Sequence, residues 1–174
     1  MPSTILQNRP SRVAIVTGAA KGIGEAIALR LADDGLDIAL FDLPQERAGL
    51  DAVAAALKGK GRRALVLVGD VTVEDDVAAM VDSTVAELGG LDVVRIFTYL
   101  LYDVGAHVIM AFQMIANAGV FWLKPFVDST TEEWDRMFAV NTRGVMLCYK
   151  HAARQMIKQG RGGRIIGLCG FIGF

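Results

Sequence analysis

The strongest chemical signal in the sequence is a glycine-rich turn at residues 17–24, which read TGAAKGIG. Gly18, Gly22 and Gly24 permit a tight turn and let a ligand approach the main chain closely. The turn follows a short β-branched run and precedes a helical segment, whose free N–H groups and partial positive charge suit a diphosphate. A plain glycine-rich β–α turn is the competing interpretation, but strand, turn and helix fall in register. We therefore predict a dinucleotide site, with Lys21 and Ile23 among its residues.

An acidic residue, Asp42, ends the second predicted strand, at the position that meets the adenosine ribose in this topology. Its carboxylate can accept both ribose hydroxyls. It would repel a 2′-phosphate by about 4 kcal/mol per charge pair at roughly 4 Å and an effective dielectric near 20. Lys21 and Arg47 could offset such a phosphate if either reached it. The sequence therefore favours NAD and leaves NADP open.

Asp70 and Val71 follow the third predicted strand, at the same edge of the sheet. A short polar side chain there can hydrogen-bond the amino group of an adenine. An aspartate that stabilises a turn or a helix start explains Asp70 equally well. Both interpretations stay open at this point.

The strands and helices around these candidate residues must hold them in position. Along the chain, short apolar runs alternate with helix-like segments. Continuously apolar strands indicate a sheet covered on both faces, and strand–helix alternation indicates parallel βαβ units. Strands are predicted at residues 13–16, 36–41, 64–68, 91–94 and 164–168. Helices are predicted at residues 25–34, 45–58 and 134–159, with a further one ending at 88. The predicted fold class is α/β, a Rossmann-type doubly wound parallel sheet that is incomplete at the C-terminus.

Two helix starts carry capping signals. Thr72, followed by Asp75 and Asp76, predicts an N-cap before the helix that ends at residue 88. Thr130 with Glu133 predicts a capping box before the long helical region.

Composition narrows the class of protein. The chain has 174 residues and 18.7 kDa, which suits one domain, and 18 basic against 19 acidic residues argue against nucleic-acid binding. Its apolar stretches are broken by charges, which argues against a membrane span. Two cysteines cannot form a disulfide framework, and neither histidine has partners at metal-ligand spacing. We expect a cytoplasmic protein without a metal site.

A family resemblance rests on motifs in sequence order. After the glycine turn, Asp42 and Asp70 with Val71 come Asn117-Ala118-Gly119, Asn141 and residues 163–167, GRIIG. This series resembles the short-chain dehydrogenase/reductase family over residues 12–94 and 114–167. Residues 26–35 further resemble the acetoin/diacetyl reductase branch.

The resemblance implies hydride transfer between a nicotinamide coenzyme, NAD or NADP, and a small alcohol or ketone. In that family a tyrosine is the acid/base, a lysine lowers its pKa, and a serine orients the substrate. Asn141 matches the asparagine that helps hold the lysine through water, and Asn117, Ala118 and Gly119 would pack beside the coenzyme. The family also implies a homo-oligomer.

The sequence departs from the family pattern in its catalytic residues. No tyrosine is followed four residues later by a lysine, and Gly170 stands about where the serine would be. Residues 168–174 diverge from the family pattern. We therefore expect the chain as written to lack the catalytic tyrosine, lysine and serine and to be inactive. A noncatalytic dinucleotide-binding module is the alternative; a nucleotide-binding methyltransferase fits the motifs less well.

A second departure interrupts the fourth predicted strand. Removing residues 95–113 would join Val94 to Met114 and restore a continuous apolar strand that leads to Asn117. We interpret residues 95–113 and 168–174 as translated intervening sequence within one partial dinucleotide-binding domain, residues 1–174. A genuine insertion that forms an interaction hairpin is the rival interpretation.

Overall fold

The computed structural model describes residues 12–90, 113–120, 125–160 and 162–167. Within these ranges five strands form one parallel sheet in the order β3-β2-β1-β4-β5. The strands are β1 (Arg12–Thr17), β2 (Leu36–Asp42), β3 (Ala64–Val68), β4 (Gln113–Ala116) and β5 (Arg164–Gly167). This order matches the first five strands of the Rossmann arrangement, in which the direction of winding reverses between β1 and β4. The predicted fold class is confirmed.

Helices connect and cover the strands. They are α1 (Gly22–Asp33), α2 (Arg47–Gly59), α3 (Glu74–Leu88), α4 (Thr131–Phe138) and α5 (Val145–Gln159). A π-helical turn, Ala139–Gly144, joins α4 to α5, and short 3₁₀ turns lie at Pro44–Glu46 and Phe126–Asp128. Among the residues described, no helix has the length and apolarity needed to cross a bilayer.

The strand β1 is buried on both faces of the sheet, which explains its continuously apolar residues. Val13 and Ile15 of β1 point into the core under α3 and α5. Ala14 and Val16 point into the opposite core, under α1 and α2. Because successive side chains on a strand alternate between faces, β1 must be apolar at every one of these positions.

Most predicted elements lie within one to three residues of their predicted bounds, but two helices differ in more than their bounds. The helix predicted over residues 134–159 begins at Thr131 and is interrupted by the π-helical turn. Thr72 is not the N-cap of α3, because Val73 occupies that position and makes no side-chain capping bond. The capping box of Thr130 and Glu133 is confirmed.

β4 lies inside the sheet, between β1 and β5, and is short. It places Gln113, Met114 and Ile115 beside Ala14, Ile15 and Val16 of β1. Gln113, assigned above to the interrupting segment, is thus the first residue of β4. The strand predicted at residues 91–94 and the rest of 95–113 lie outside the described residues, as do 168–174.

A buried carboxylate ties β2 to the segment before β3. Asp37 is 3% exposed and lies in β2. Its two oxygens accept the Arg63 main-chain N–H at 2.9 Å and the Arg63 Nε–H at 2.8 Å. Arg63 in turn donates to the carbonyl of Leu88, the last residue of α3, at 2.9 Å. The start of β3 and the end of α3 are therefore held by one charged network.

We expect Asp37→Ala to lower the free energy of unfolding by about 2 kcal/mol, because it removes the buried carboxylate that accepts two hydrogen bonds from Arg63, one of them charge-assisted. Urea denaturation measures the change. Asp51→Ala is the matched control, because it breaks an exposed ion pair with Arg47 and should cost at most about 0.5 kcal/mol. Equal losses in the two variants would contradict this role for Asp37.

Candidate nucleotide-binding site

A cavity of about 450 Å³ opens at the carboxyl ends of the central strands. The structure brings all eleven predicted coenzyme-binding residues to its wall: Gly18, Lys21, Gly22, Ile23, Gly24, Asp42, Asp70, Val71, Asn117, Ala118 and Gly119. In open α/β sheets, ligands bind at this edge, where the strand order reverses. The volume lies within the range of ordinary ligand pockets.

The glycine turn leaves the amide groups at the start of α1 accessible at the cavity wall. Gly18 and Gly22 have φ values of +64° and +61°, in the left-handed region that favours glycine. A Cβ on Gly24 would collide with the carbonyl oxygen of Gly18, whereas a Cβ on Gly22 would meet nothing within 4 Å. The N-cap residue of α1, Lys21, makes no side-chain capping bond. The first-turn N–H groups of α1 therefore lack intrahelical acceptors and suit an anionic ligand.

Two polar side chains brace the ends of β1 and β4 behind this turn. The buried Thr17 hydroxyl donates to the Ile115 carbonyl at 3.1 Å and accepts the N–H groups of Asn117 and Ala118 at 2.9 and 3.1 Å. The Asn117 amide donates to the carbonyls of Thr17 and Gly18 at 2.9 and 3.2 Å. The side chain of Asn117 therefore holds the glycine turn in place, although the residue also lines the cavity.

Asp42 links the second strand to the turn. Its Oδ2 accepts the Ala20 N–H at 3.0 Å, and its Oδ1 accepts the Leu43 N–H at 2.9 Å. A carboxylate has about four lone-pair directions, so each oxygen can accept one further hydrogen bond. The carboxylate is thus fixed by two main-chain donors and still able to accept hydroxyl groups from a ligand in the cavity.

Asp70 stabilises a turn and also lines the cavity, so it has features of both interpretations, the turn aspartate and the adenine contact. Its Oδ1 accepts the Thr72 N–H at 2.8 Å, an Asx turn, while its own N–H donates to Asp76 Oδ2 at 2.8 Å. Both Asp70 and the buried Val71 line the cavity. The turn accounts for the local conformation, and an adenine contact stays a prediction.

Asn141 lies in the π-helical turn, outside the cavity lining. Its Oδ1 accepts the Val120 N–H at 2.9 Å and its Nδ2 donates to the Val120 carbonyl at 2.8 Å. This pair of bonds joins the segment after β4 to the junction of α4 and α5. The side chain therefore positions Val120, which does line the cavity.

Lys21 and Arg47, the cations that could offset the charge of a 2′-phosphate, each form an ion pair with a carboxylate. Lys21 Nζ lies 2.7 Å from Glu46 Oε1, and Arg47 Nε lies 3.0 Å from Asp51 Oδ1. The hydrogen bond and the charge of Glu46 raise the pKa of Lys21, and the charge of Asp42 adds a smaller increase.

Sequence reasoning missed six residues of the cavity wall: Phe41, Leu43, Gly69, Val120, Arg136 and Val140. All but Arg136 are sequence neighbours of a predicted residue, so widening each motif by one position would have found them. Arg136 comes from α4 and carries no local signal. Metal ligands do not cluster anywhere in the described ranges.

Comparisons with known proteins agree with this geometry. The family model described as short chain dehydrogenase matches residues 12–174. A short-chain dehydrogenase/reductase of Armillaria gallica is 48% identical over 158 residues, covering 91% of this chain and 53% of the relative. A diacetyl reductase ((S)-acetoin forming) of Staphylococcus epidermidis is 34% identical over 163 residues, 94% of this chain and 55% of the relative.

A solved structure, NAD⁺-bound xylitol dehydrogenase, is similar with a TM-score of 0.73 and 34% identity, covering 90% of this chain and 52% of that one. The chain spans about half the length of the curated relatives it matches.

We expect Thr17→Val to lower the free energy of unfolding by about 2 kcal/mol, because it keeps the side-chain volume but leaves the polar groups of Ile115, Asn117 and Ala118 without the hydroxyl. Thr17→Ser is the control, because it keeps the hydroxyl and removes only a methyl group, at a cost of about 1 kcal/mol. Thermal and urea unfolding measure both. A larger loss for serine than for valine would indicate that packing, not hydrogen bonding, is the role of Thr17.

Proposed function

The chain belongs to the short-chain dehydrogenase family, whose members bind NAD(P), and we propose that it forms the NAD-binding half of an oxidoreductase acting on a small alcohol or ketone. One observation carries the proposal. The uncapped amides that begin α1 and the carboxylate of Asp42 lie on the wall of the same cavity, at the point where the strand order reverses. Main-chain donors for a diphosphate and an acceptor for a ribose are what a dinucleotide requires.

In this proposal each part of the cavity binds one part of the coenzyme. The first turn of α1 would bind the diphosphate, Asp42 the ribose hydroxyls, and Asp70 with Val71 the adenine. Asn117, Ala118 and Gly119 would line the remaining wall, with Asn141 holding that wall through Val120. The bound nicotinamide would supply the carbon that gives or receives the hydride.

NAD is preferred over NADP in the proposal because Asp42 faces the ribose position with a negative charge. The two cations that could compensate a 2′-phosphate, Lys21 and Arg47, are each paired with a carboxylate. The NAD⁺-bound xylitol dehydrogenase among the similar structures supports this preference.

The substrate class is proposed by analogy with a relative. The acid/base pair that the family uses does not occur in this sequence. Similarity to a diacetyl reductase supports a small ketone or alcohol such as diacetyl or acetoin. None of the three tyrosines is followed four residues later by a lysine. We therefore propose that this chain binds coenzyme without turning it over, which also makes a noncatalytic dinucleotide-binding module the second candidate. A cytoplasmic homo-oligomer remains part of the proposal.

Calorimetry should detect saturable binding of NAD⁺ to the chain, with a spectrophotometric assay of NADH and diacetyl finding no turnover. Asp42→Asn should weaken NAD⁺ binding by about tenfold, because it removes charge-assisted hydrogen bonds to the ribose. Asp51→Asn, which removes the same charge from an exposed ion pair in α2, is the control and should bind as the unaltered chain does. Absence of any NAD⁺ binding would overturn the proposal, and ordinary turnover rates would overturn the inactive state.

The register of β4 supports the proposal that residues 95–113 interrupt a strand. If they were removed, Val94 would take the place of Gln113 opposite Ala14, and Val93 and Asp92 would follow opposite Val13 and Arg12. β4 would then have partners along the whole length of β1 (Arg12–Thr17).

We expect a variant that lacks residues 95–113 to melt several degrees above the unaltered chain, since 1 kcal/mol raises the midpoint by about 2–4 °C at this size. Differential scanning calorimetry measures the shift. A variant with residues 95–113 in shuffled order keeps length and composition and should melt with the unaltered chain. A lower midpoint for the shortened variant would contradict the proposal and favour a genuine insertion.

A further inference from the structure

Glu46 occupies a fixed position beside the end of β2. It is the last residue of the 3₁₀ turn Pro44–Glu46, and its N–H donates to the Leu43 carbonyl at 2.9 Å. Proline at the first position of the turn presets the backbone angle there. Only three residues separate Glu46 from Asp42 in the sequence, and Glu46 itself is not part of the cavity wall, so it can act on the site only through a residue that is.

The Glu46 carboxylate is directed at Lys21, which lines the cavity. Its Oε1 accepts a hydrogen bond from Lys21 Nζ at 2.7 Å. The Lys21 side chain is 75% exposed and that of Glu46 is 29% exposed. The more confined partner is therefore the carboxylate, and the flexible lysine is the group that is drawn to it.

We propose that Glu46 is a second determinant of coenzyme selectivity: by binding Lys21 it withholds the cation that could receive a 2′-phosphate, so that the ribose position rejects NADP. This inference rests on the proposed function. Asp42, Glu46 and Lys21 together carry one net negative charge, whereas without Glu46 the charges of Asp42 and Lys21 cancel.

The pKa of Lys21 responds to both carboxylates. Both Glu46 and Asp42 raise the pKa of Lys21, so the lysine interacts with the two carboxylates at once. A 2′-phosphate would add a doubly charged competitor for the same ammonium group. Exposed ion pairs are weak individually, so the effect on binding is expected to be a factor of a few rather than complete exclusion.

The test compares the affinities of NAD⁺ and NADP⁺ by calorimetry on the full chain. Glu46→Gln should shift the ratio of the two dissociation constants towards NADP⁺ by about fivefold. Asp33→Asn is the matched control, because Asp33 forms a 2.6 Å pair with Lys60 at the opposite end of α1, roughly 16 Å along the helix axis. It should leave the ratio unchanged.

A second substitution separates the role of Lys21 from a general change in charge. Adding Lys21→Met to Glu46→Gln should abolish the gain in NADP⁺ affinity, and retention of the gain would overturn the inference. An unchanged ratio in Glu46→Gln would also overturn it, as would loss of both coenzymes in that variant, which would make Glu46 a structural residue. Failure of the unaltered chain to bind either coenzyme would instead overturn the proposed function.

Discussion

The polar groups at the carboxyl ends of β1 and β4 must find partners without closing the crevice between the two strands. Thr17 and Asn117 meet this requirement with their side chains. The Thr17 hydroxyl bonds main-chain groups at the end of β4, and the Asn117 amide bonds main-chain carbonyls at the end of β1. A turn braced in this way leaves the first amide groups of α1, at the cavity wall, available to a ligand. The rest of the site depends on this arrangement, because the position of α1 follows from the turn.

The glycines and charges of the site follow from the same constraint. Gly24 packs so closely against Gly18 that no side chain fits there, which brings the start of α1 to the edge of the sheet. Asp42 then ties the turn to β2 by accepting the Ala20 N–H. The Asp42 carboxylate thus contributes both to the fold and to the negative charge at the proposed ribose position. Glu46 makes the net charge there more negative because it pairs with Lys21.

Local signals predicted the framework and most of the cavity wall, because strand burial and glycine spacing are properties of short segments. The continuous apolar run of β1 and the capping box of Thr130 are examples. Long-range contacts were not predictable in this way: Arg136 reaches the cavity from α4, and Glu46 pairs with Lys21 across 25 positions. Thr72 misled because α3 begins at Glu74, one residue later than a Thr72 cap requires, and Val73 takes the N-cap position.

The proposed function depends on a nicotinamide coenzyme binding with its diphosphate on the first turn of α1. Amide chemical shifts of the ¹⁵N-labelled chain, followed during titration with NAD⁺, test it most directly. We expect saturable shifts that are largest for the N–H groups of Gly22, Ile23 and Gly24. Saturable binding that leaves these three amides unmoved, or no saturable shift at all, would contradict it.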